Sequence, residues 1–124
     1  VGVGGRHPAR AAKLPENEQL ELLRLLRSLD HPNIVRYHHF FQSREALYIV
    51  MSRCHGPDLM EHMEASGDLS MQAIKEISRM MLFAIAAVHS SGLMHRDIKP
   101  ENFRFKDKAA TILQLLDFGG RNWH

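Results

Sequence analysis

The chain is poor in cysteine: Cys54 is the single one among 124 residues, so no internal disulfide can form. That excludes a disulfide-stapled secreted scaffold and makes a reduced, intracellular and cytoplasmic setting the expectation. Long apolar runs are also missing. The longest uncharged one, Met80 to Val88, lies between Arg79 and His89 and falls well short of the about 20 residues a membrane span needs. It reads as part of a buried helix. Neither sign of charge is in excess. A formal net charge of +2 gives no basis for a nucleic-acid or acidic-membrane partner. The nine histidines, His38-His39 included, lack cysteine or acidic partners at metal-ligand spacing. Internal repeats and low-complexity segments are absent. The chain starts at Val1 with no basic-then-apolar leader, and a fragment of a longer chain is therefore expected.

What is present is ordinary globular composition, 44% hydrophobic and 24% charged, enough for one small core. Residues 1–12 are rich in Gly, Ala and Arg without clear periodicity, and Val1 to Gly5 reads as a flexible terminus. A helix should follow. Pro15 suits its first turn, and Glu16 and Glu18 suit the positive end of its dipole. Leu22, Leu26 and Leu29 share one face, with Arg24 and Arg27 toward the end. Pro32 disfavours helical geometry at His31 and stops it. Two β-rich runs, Ile34 to Phe41 and Ala46 to Met51, flank Gln42-Ser43-Arg44 and predict an antiparallel hairpin. Gly56-Pro57 breaks the chain, and a short helix over about Leu59 to Ala65 precedes Gly67. The best helix runs from Ser70, a capping residue, to Ser90. Ile74, Ile77, Met81, Ile85 and Val88 should form its buried face, and Gly92 suits a left-handed stop. Two short extended runs, Asn102–Phe105 and Thr111–Leu116, come last. The fold class is α+β.

The informative stretch is His95-Arg96-Asp97-Ile98-Lys99-Pro100-Glu101-Asn102. Pro100 excludes a regular helix, so a loop is expected. In an extended loop Asp97 and Lys99 point to the same side. A carboxylate beside an ammonium at that spacing suits phosphoryl transfer: the acid accepts a hydroxyl proton and the ammonium neutralises charge on the moving group. Asn102 offers a neutral oxygen and Asp117 a charged one. Hard oxygen ligands of this kind suit Mg²⁺ shared with nucleotide phosphates.

His95 to Asn102, followed by Asp117-Phe118-Gly119, is similar to the signature pair of protein kinases. Lys99, two residues after Asp97, resembles the Ser/Thr class. The resemblance extends upstream. Leu29 to Val35 looks like the linker after helix C of the small lobe, and Leu47 to Met51 like the fifth strand running into the hinge. It implies a truncated two-lobed fold: residues 1–51 a partial small lobe, 52–58 a hinge, and 59–124 the start of a large lobe. It further implies Asp97 as base, Lys99 as charge neutraliser, Asn102 and Asp117 as metal ligands, and Lys13 as phosphate clamp. Met51 would be the gatekeeper, the backbone of Ser52 and Cys54 would bond adenine, and Asp58 would lie near the ribose. ATP and Mg²⁺ are the implied cofactors and a protein Ser or Thr hydroxyl the implied acceptor. Pro100 to Asp107 looks most like the calcium-dependent and calmodulin-regulated branch. This chain has no EF-hand loop, so any calcium sensor would be encoded elsewhere.

Four departures stand beside the resemblance. Val1-Gly2-Val3-Gly4-Gly5 lacks the G-x-G-x-x-G-x-V pattern. Ala11-Ala12-Lys13 resembles the third-strand Lys motif only in part. Leu22 stands where helix C should offer that Lys a Glu. Glu21 is one residue away, which turns a helix by roughly 100°, and Glu18 lies one turn earlier. Arg104 replaces an apolar residue under the adenine ring, where an unpaired guanidinium would be costly; it would have to snorkel outward or find a phosphate or acid. The residues therefore leave three readings open: a Ser/Thr kinase, a pseudokinase-like binding module, and a truncated gene fragment. The isolated chain is expected to turn over little or not at all, and to expose a large apolar surface.

Overall fold

The structure, a computed structural model, describes residues 3–9, 16–93 and 98–116, with side chains in 20–93 and 98–116. The order is β1 (Val3–Ala9), α1 (Glu16–Ser28), β2 (Tyr37–Gln42), β3 (Leu47–Ser52), α2 (Leu59–Ser66), α3 (Met71–Ser90), β4 (Phe103–Phe105) and β5 (Leu113–Leu115). It is an α+β arrangement of two sheets. The first is antiparallel with order β1-β3-β2, and the second is the β4-β5 ribbon. β1 is a finding that the sequence did not announce. It pairs along β3 from Ala9↔Leu47 to Val3↔Ser52 with a register shift between Val3 and Arg6. An edge strand recruited by a partner's ladder needs little periodicity of its own.

The leucine face of α1 forms as expected: Leu26 and Leu29 are buried and Leu22 packs against the same core. Arg36 Nη1 donates to the Leu29 carbonyl at 2.9 Å, which satisfies a carbonyl just past the helix end. The expected hairpin is present, but its first strand begins at Tyr37 rather than Ile34. Ile34 and Val35 have another partner. Ile34 forms a parallel bridge with Leu115, and Val35 N–H donates to the Leu115 carbonyl at 3.1 Å. Tyr37, Leu47 and Ile49 put the sheet's apolar side into the core.

Ser70 caps α3 by accepting the Ala73 N–H at 3.1 Å, and Gly92 closes it with φ 87°. Most of the expected face is found inside: Ile77 and Met81 pack against the core beside Val88. Ala84 and Val88 are buried, while Ile74 is 45% exposed. α3 packs against β5. Leu82 and Phe83 are 65% and 52% exposed, the apolar surface that was expected. No helix among the described residues is long and apolar enough to cross a membrane.

The segment between β3 and α2 lies directly on β4. His55 N–H donates to the Lys106 carbonyl at 2.9 Å, Gly56 N–H to the Phe105 carbonyl at 3.0 Å, and Phe105 N–H to the Pro57 carbonyl at 2.9 Å. Gly56 permits this approach. A Cβ there would lie 2.2 Å from the Asp107 carbonyl oxygen and 2.8 Å from Phe105 Cβ, distances that only a backbone shift could relieve. Gly56→Ala is accordingly expected to cost about 1–3 kcal/mol, read as a lower midpoint in thermal or urea unfolding. An unchanged midpoint would mean that the segment does not press on β4.

Candidate active site

Two groups of expected site residues lie at the two ends of β4. At its start, Pro100–Asn102 forms a single 3₁₀ turn, consistent with Pro100 excluding a longer helix. Asn102 is buried. Its Oδ1 accepts the Lys99 N–H at 3.0 Å, and its N–H donates to the Lys99 carbonyl at 2.9 Å. These reciprocal bonds tie Lys99 to Asn102. The turn is also locked to the end of β5, because Leu116 N–H donates to the Asn102 carbonyl at 2.7 Å. Lys99 is exposed. Asp97 and Asp117 lie outside the described residues, as does Lys13.

At the other end, Cys54, Asp58 and Arg104 come together. Asp58 and Arg104 form an antiparallel bridge. Arg104 Nε donates to the Gly56 carbonyl at 2.9 Å. Of the alternatives open to this guanidinium, it takes none that leaves it unpaired: it is half-buried and bonded to a backbone oxygen. Asp58 Oδ1 accepts the Glu61 N–H at 2.7 Å and so caps α2. That hydrogen bond is the main reason its carboxyl titrates below the ordinary Asp range, with Arg104 a lesser contributor. Burial pushes the Cys54 thiol up, against the opposing pull of Arg104 and Lys106.

Met51 and Ser52 end β3, both half-buried. Met51 pairs with Tyr37 across the sheet. Ser52 N–H donates to the Arg36 carbonyl at 2.9 Å, and its hydroxyl lies 2.7 Å from His38 Nε2. On α1, Leu22 packs on the core and Glu21 is exposed. Glu21 instead lines a surface groove with Leu20, Arg24, Leu25 and Ser28, which holds none of the expected site residues.

Gln114 was missed. It is buried in β5 opposite Arg104, and its amide bonds both Cys54 and the Pro32 carbonyl. A signal existed: it is the only polar residue in the apolar run Ile112 to Leu116. Asn33, also buried, was read only as one residue of the Leu29 to Val35 linker.

An α+β frame with a 3₁₀ turn leading into a β-ribbon and the segment after β3 packed on that ribbon fits a class, the protein kinase domain. The family model of that description matches residues 9–122, and the chain belongs to this family. It is 40% identical over 97 residues to the serine/threonine-protein kinase RAD53 of Saccharomyces cerevisiae, covering 78% of this chain and 12% of that protein. It is 39% identical over 99 residues to calcium-dependent protein kinase 6 of Plasmodium berghei, covering 80% and 7%. With calcium-dependent protein kinase 24 of Arabidopsis thaliana the identity is 34% over 102 residues, covering 82% and 17%. The chain thus spans a small part of the curated relatives it matches. Among solved structures, Rad53 1-466 in complex with AMP-PNP superposes with a TM-score of 0.73 at 39% identity, covering 81% of this chain and 27% of that one. The expected likeness to Ser/Thr kinases, calcium-dependent ones among them, holds.

The Asp58 cap generates a pH prediction. A carboxyl with a lowered folded pKa contributes stability that is complete above its unfolded value, about 3.9, and is lost as pH falls through the lower folded value. Asp58→Ala is expected to cost about 1 kcal/mol near neutral pH. Asp58→Asn, an equally good cap, should keep that stability and flatten the acid limb. Thermal melts between neutral pH and the acid limb check both, and a steep acid limb retained in Asp58→Asn would assign the dependence to other carboxyls.

Proposed function

We propose that the chain carries the nucleotide-facing and catalytic part of a Ser/Thr protein kinase, with residues 1–51, 52–58 and 59–124 as partial small lobe, hinge and start of the large lobe. One observation carries the reading: Asn102 is bonded to Lys99 on one side and to Leu116 on the other. Asp117 follows Leu116 by one peptide bond. Lys99 and Asn102 are thereby held at one end of the β4-β5 ribbon, and Asp117 is the next residue along the chain from that end.

In the proposed reaction Asp97 accepts the proton of a protein Ser or Thr hydroxyl. The hydroxyl oxygen bonds the γ-phosphorus as the bond to the β–γ bridging oxygen breaks, and ADP leaves. Lys99 neutralises charge on the transferred group, and Lys13 holds the remaining phosphates. Asn102 suits a magnesium ligand because an amide oxygen has two lone pairs, of which one meets the Lys99 N–H. With Asp117 it would hold Mg²⁺, which supplies charge neutralisation at the phosphates when bound. The Ser52 carbonyl and Cys54 N–H would meet adenine, with Met51 behind, Asp58 toward the ribose and Arg104 beneath the base. Among the described residues Cys54 N–H donates no backbone hydrogen bond, unlike its neighbours His55 and Gly56, and this supports a role toward a ligand. An intracellular, cytoplasmic place of action fits an ATP-using enzyme, and calcium sensing, where it operates, belongs to another segment or protein.

A second reading, a pseudokinase-like binding module, is favoured by α1. Leu22 faces the core and Glu21 faces outward, so neither supplies an acid for Lys13. Phosphate transfer from labelled Mg-ATP to a Ser/Thr protein acceptor separates the two. At most slow transfer by the purified chain is expected, and whatever transfer occurs should fall about 10²-fold or more in Asp97→Asn with ATP binding retained. ATP binding with no Asp97-dependent transfer would favour the binding module. Arg104→Leu places an apolar surface beneath the base and is expected to tighten ATP severalfold in a binding titration. Equal or weaker affinity would place the guanidinium away from adenine.

A further inference from the structure

A polar side chain inside a short apolar strand is costly unless both its donor and its acceptor are met. Gln114 lies between Leu113 and Leu115 and is 7% exposed. Its Nε2 donates to the Pro32 carbonyl at 3.1 Å, and its Oε1 accepts from Cys54 Sγ at 3.4 Å. Pro32 belongs to the connection between α1 and β2, whereas Cys54 belongs to the connection between β3 and α2. One amide therefore joins both connections to β5. An apolar residue of the same volume could make neither bond, and a lysine only the one to Pro32.

The two partners differ in how else they are held. The connection at Pro32 is already fixed, since Asn33 accepts the Leu115 N–H at 2.9 Å and gives its own amide to the Leu113 carbonyl at 2.9 Å. The residues that follow Cys54 are held to β4 through the His55 and Gly56 N–H groups, but these bonds do not include Cys54 itself. Among the described residues, its bond to Gln114 is the one hydrogen bond it makes.

We propose that Gln114 is a positioning residue for nucleotide recognition: it locks Cys54 to the anchored Pro32 connection and so sets where the backbone of segment 52–58 meets the base. The proposal rests on the nucleotide reading above. It makes Gln114 act through Cys54 rather than by touching ATP.

Cys54 is the only cysteine of the chain, so its alkylation by iodoacetamide reports on this segment without interference and without any nucleotide. Gln114→Met keeps the volume and removes both bonds. It is expected to speed alkylation severalfold and to erode the preference for ATP over GTP, measured by competition against a fluorescent ATP analogue. Ser70→Ala, which removes the α3 cap, should lower the melting temperature without changing either readout. Should Gln114→Met fail to fold, the shorter Gln114→Asn, which cannot reach both partners, is read in the same way. Unchanged alkylation in a folded variant overturns the lock. Faster alkylation with an intact ATP preference overturns the role in recognition. If the unaltered chain binds neither nucleotide, the nucleotide reading itself has failed. The alkylation rates then decide the lock alone, a faster rate sustaining it and an unchanged rate ending it.

Discussion

The arrangement depends on one buried carboxamide. Asn33 sits in the turn after α1 and sends its Nδ2–H to the Leu113 carbonyl. The adjoining backbone is paired with the same strand through Leu115 N–H to the Asn33 carbonyl and Val35 N–H to the Leu115 carbonyl. The connection between α1 and β2 thereby behaves as a third, parallel partner of β5. It also explains why the hairpin strand starts late: backbone groups already committed to β5 cannot join β3. A buried amide left without its acceptor costs about 1–3 kcal/mol. The geometry is therefore enforced by a penalty on every alternative, and the apolar cluster from Leu26 through Val35 to Leu115 can close only around it.

The same strand supports the far side of the candidate site. β5 pairs with β4, and β4 carries the 52–58 connection on its backbone. Gly56 and Arg104 are two parts of one solution there. The missing Cβ lets the connection approach β4, and the approach brings the Gly56 carbonyl to Arg104 Nε. The guanidinium, a departure from the apolar residue expected at this position, gains a charge-assisted hydrogen bond. Its cost is offset locally, and no buried side-chain polar atom among the described residues lacks a partner.

Much of this was legible in the residues. Both long helices, the caps at Ser70 and Gly92, the hairpin and the β4-β5 runs follow from periodicity and turn chemistry, which are local properties. The family resemblance was legible for another reason: Asp97, Lys99, Asn102 and Asp117 are a chemical set as well as a spacing, although Asp97 and Asp117 lie outside the described residues. What stayed hidden depends on contacts distant in sequence. β1 exists through its partner β3. Ile34 reads as strand by composition yet pairs with Leu115. Ile74 keeps helical spacing with Val88 yet is exposed while Val88 is buried. Gln114 and Asn33 carry the junction through bonds to Cys54, Pro32 and Leu113, which no local pattern encodes.

The two ends of the candidate site are constrained unequally, and this bears on how the departures should be weighed. Lys99, Asn102 and Leu116 are joined by backbone bonds and one buried amide, so a substitution that moved one would move all three. The acid expected opposite Lys13 has no comparable frame. In α1 the core selects Leu22 for its volume, and nothing in the packing of that face asks for a carboxylate. A helix can exchange which turn supplies an acid by sliding or rotating, whereas a 3₁₀ turn closed on itself and on a neighbouring strand cannot exchange its amide. Loss of the expected glutamate position is thus compatible with an intact 3₁₀ turn. Loss of the Asn102 amide would free the Lys99 N–H that its Oδ1 accepts, while the backbone bond to Leu116 would remain.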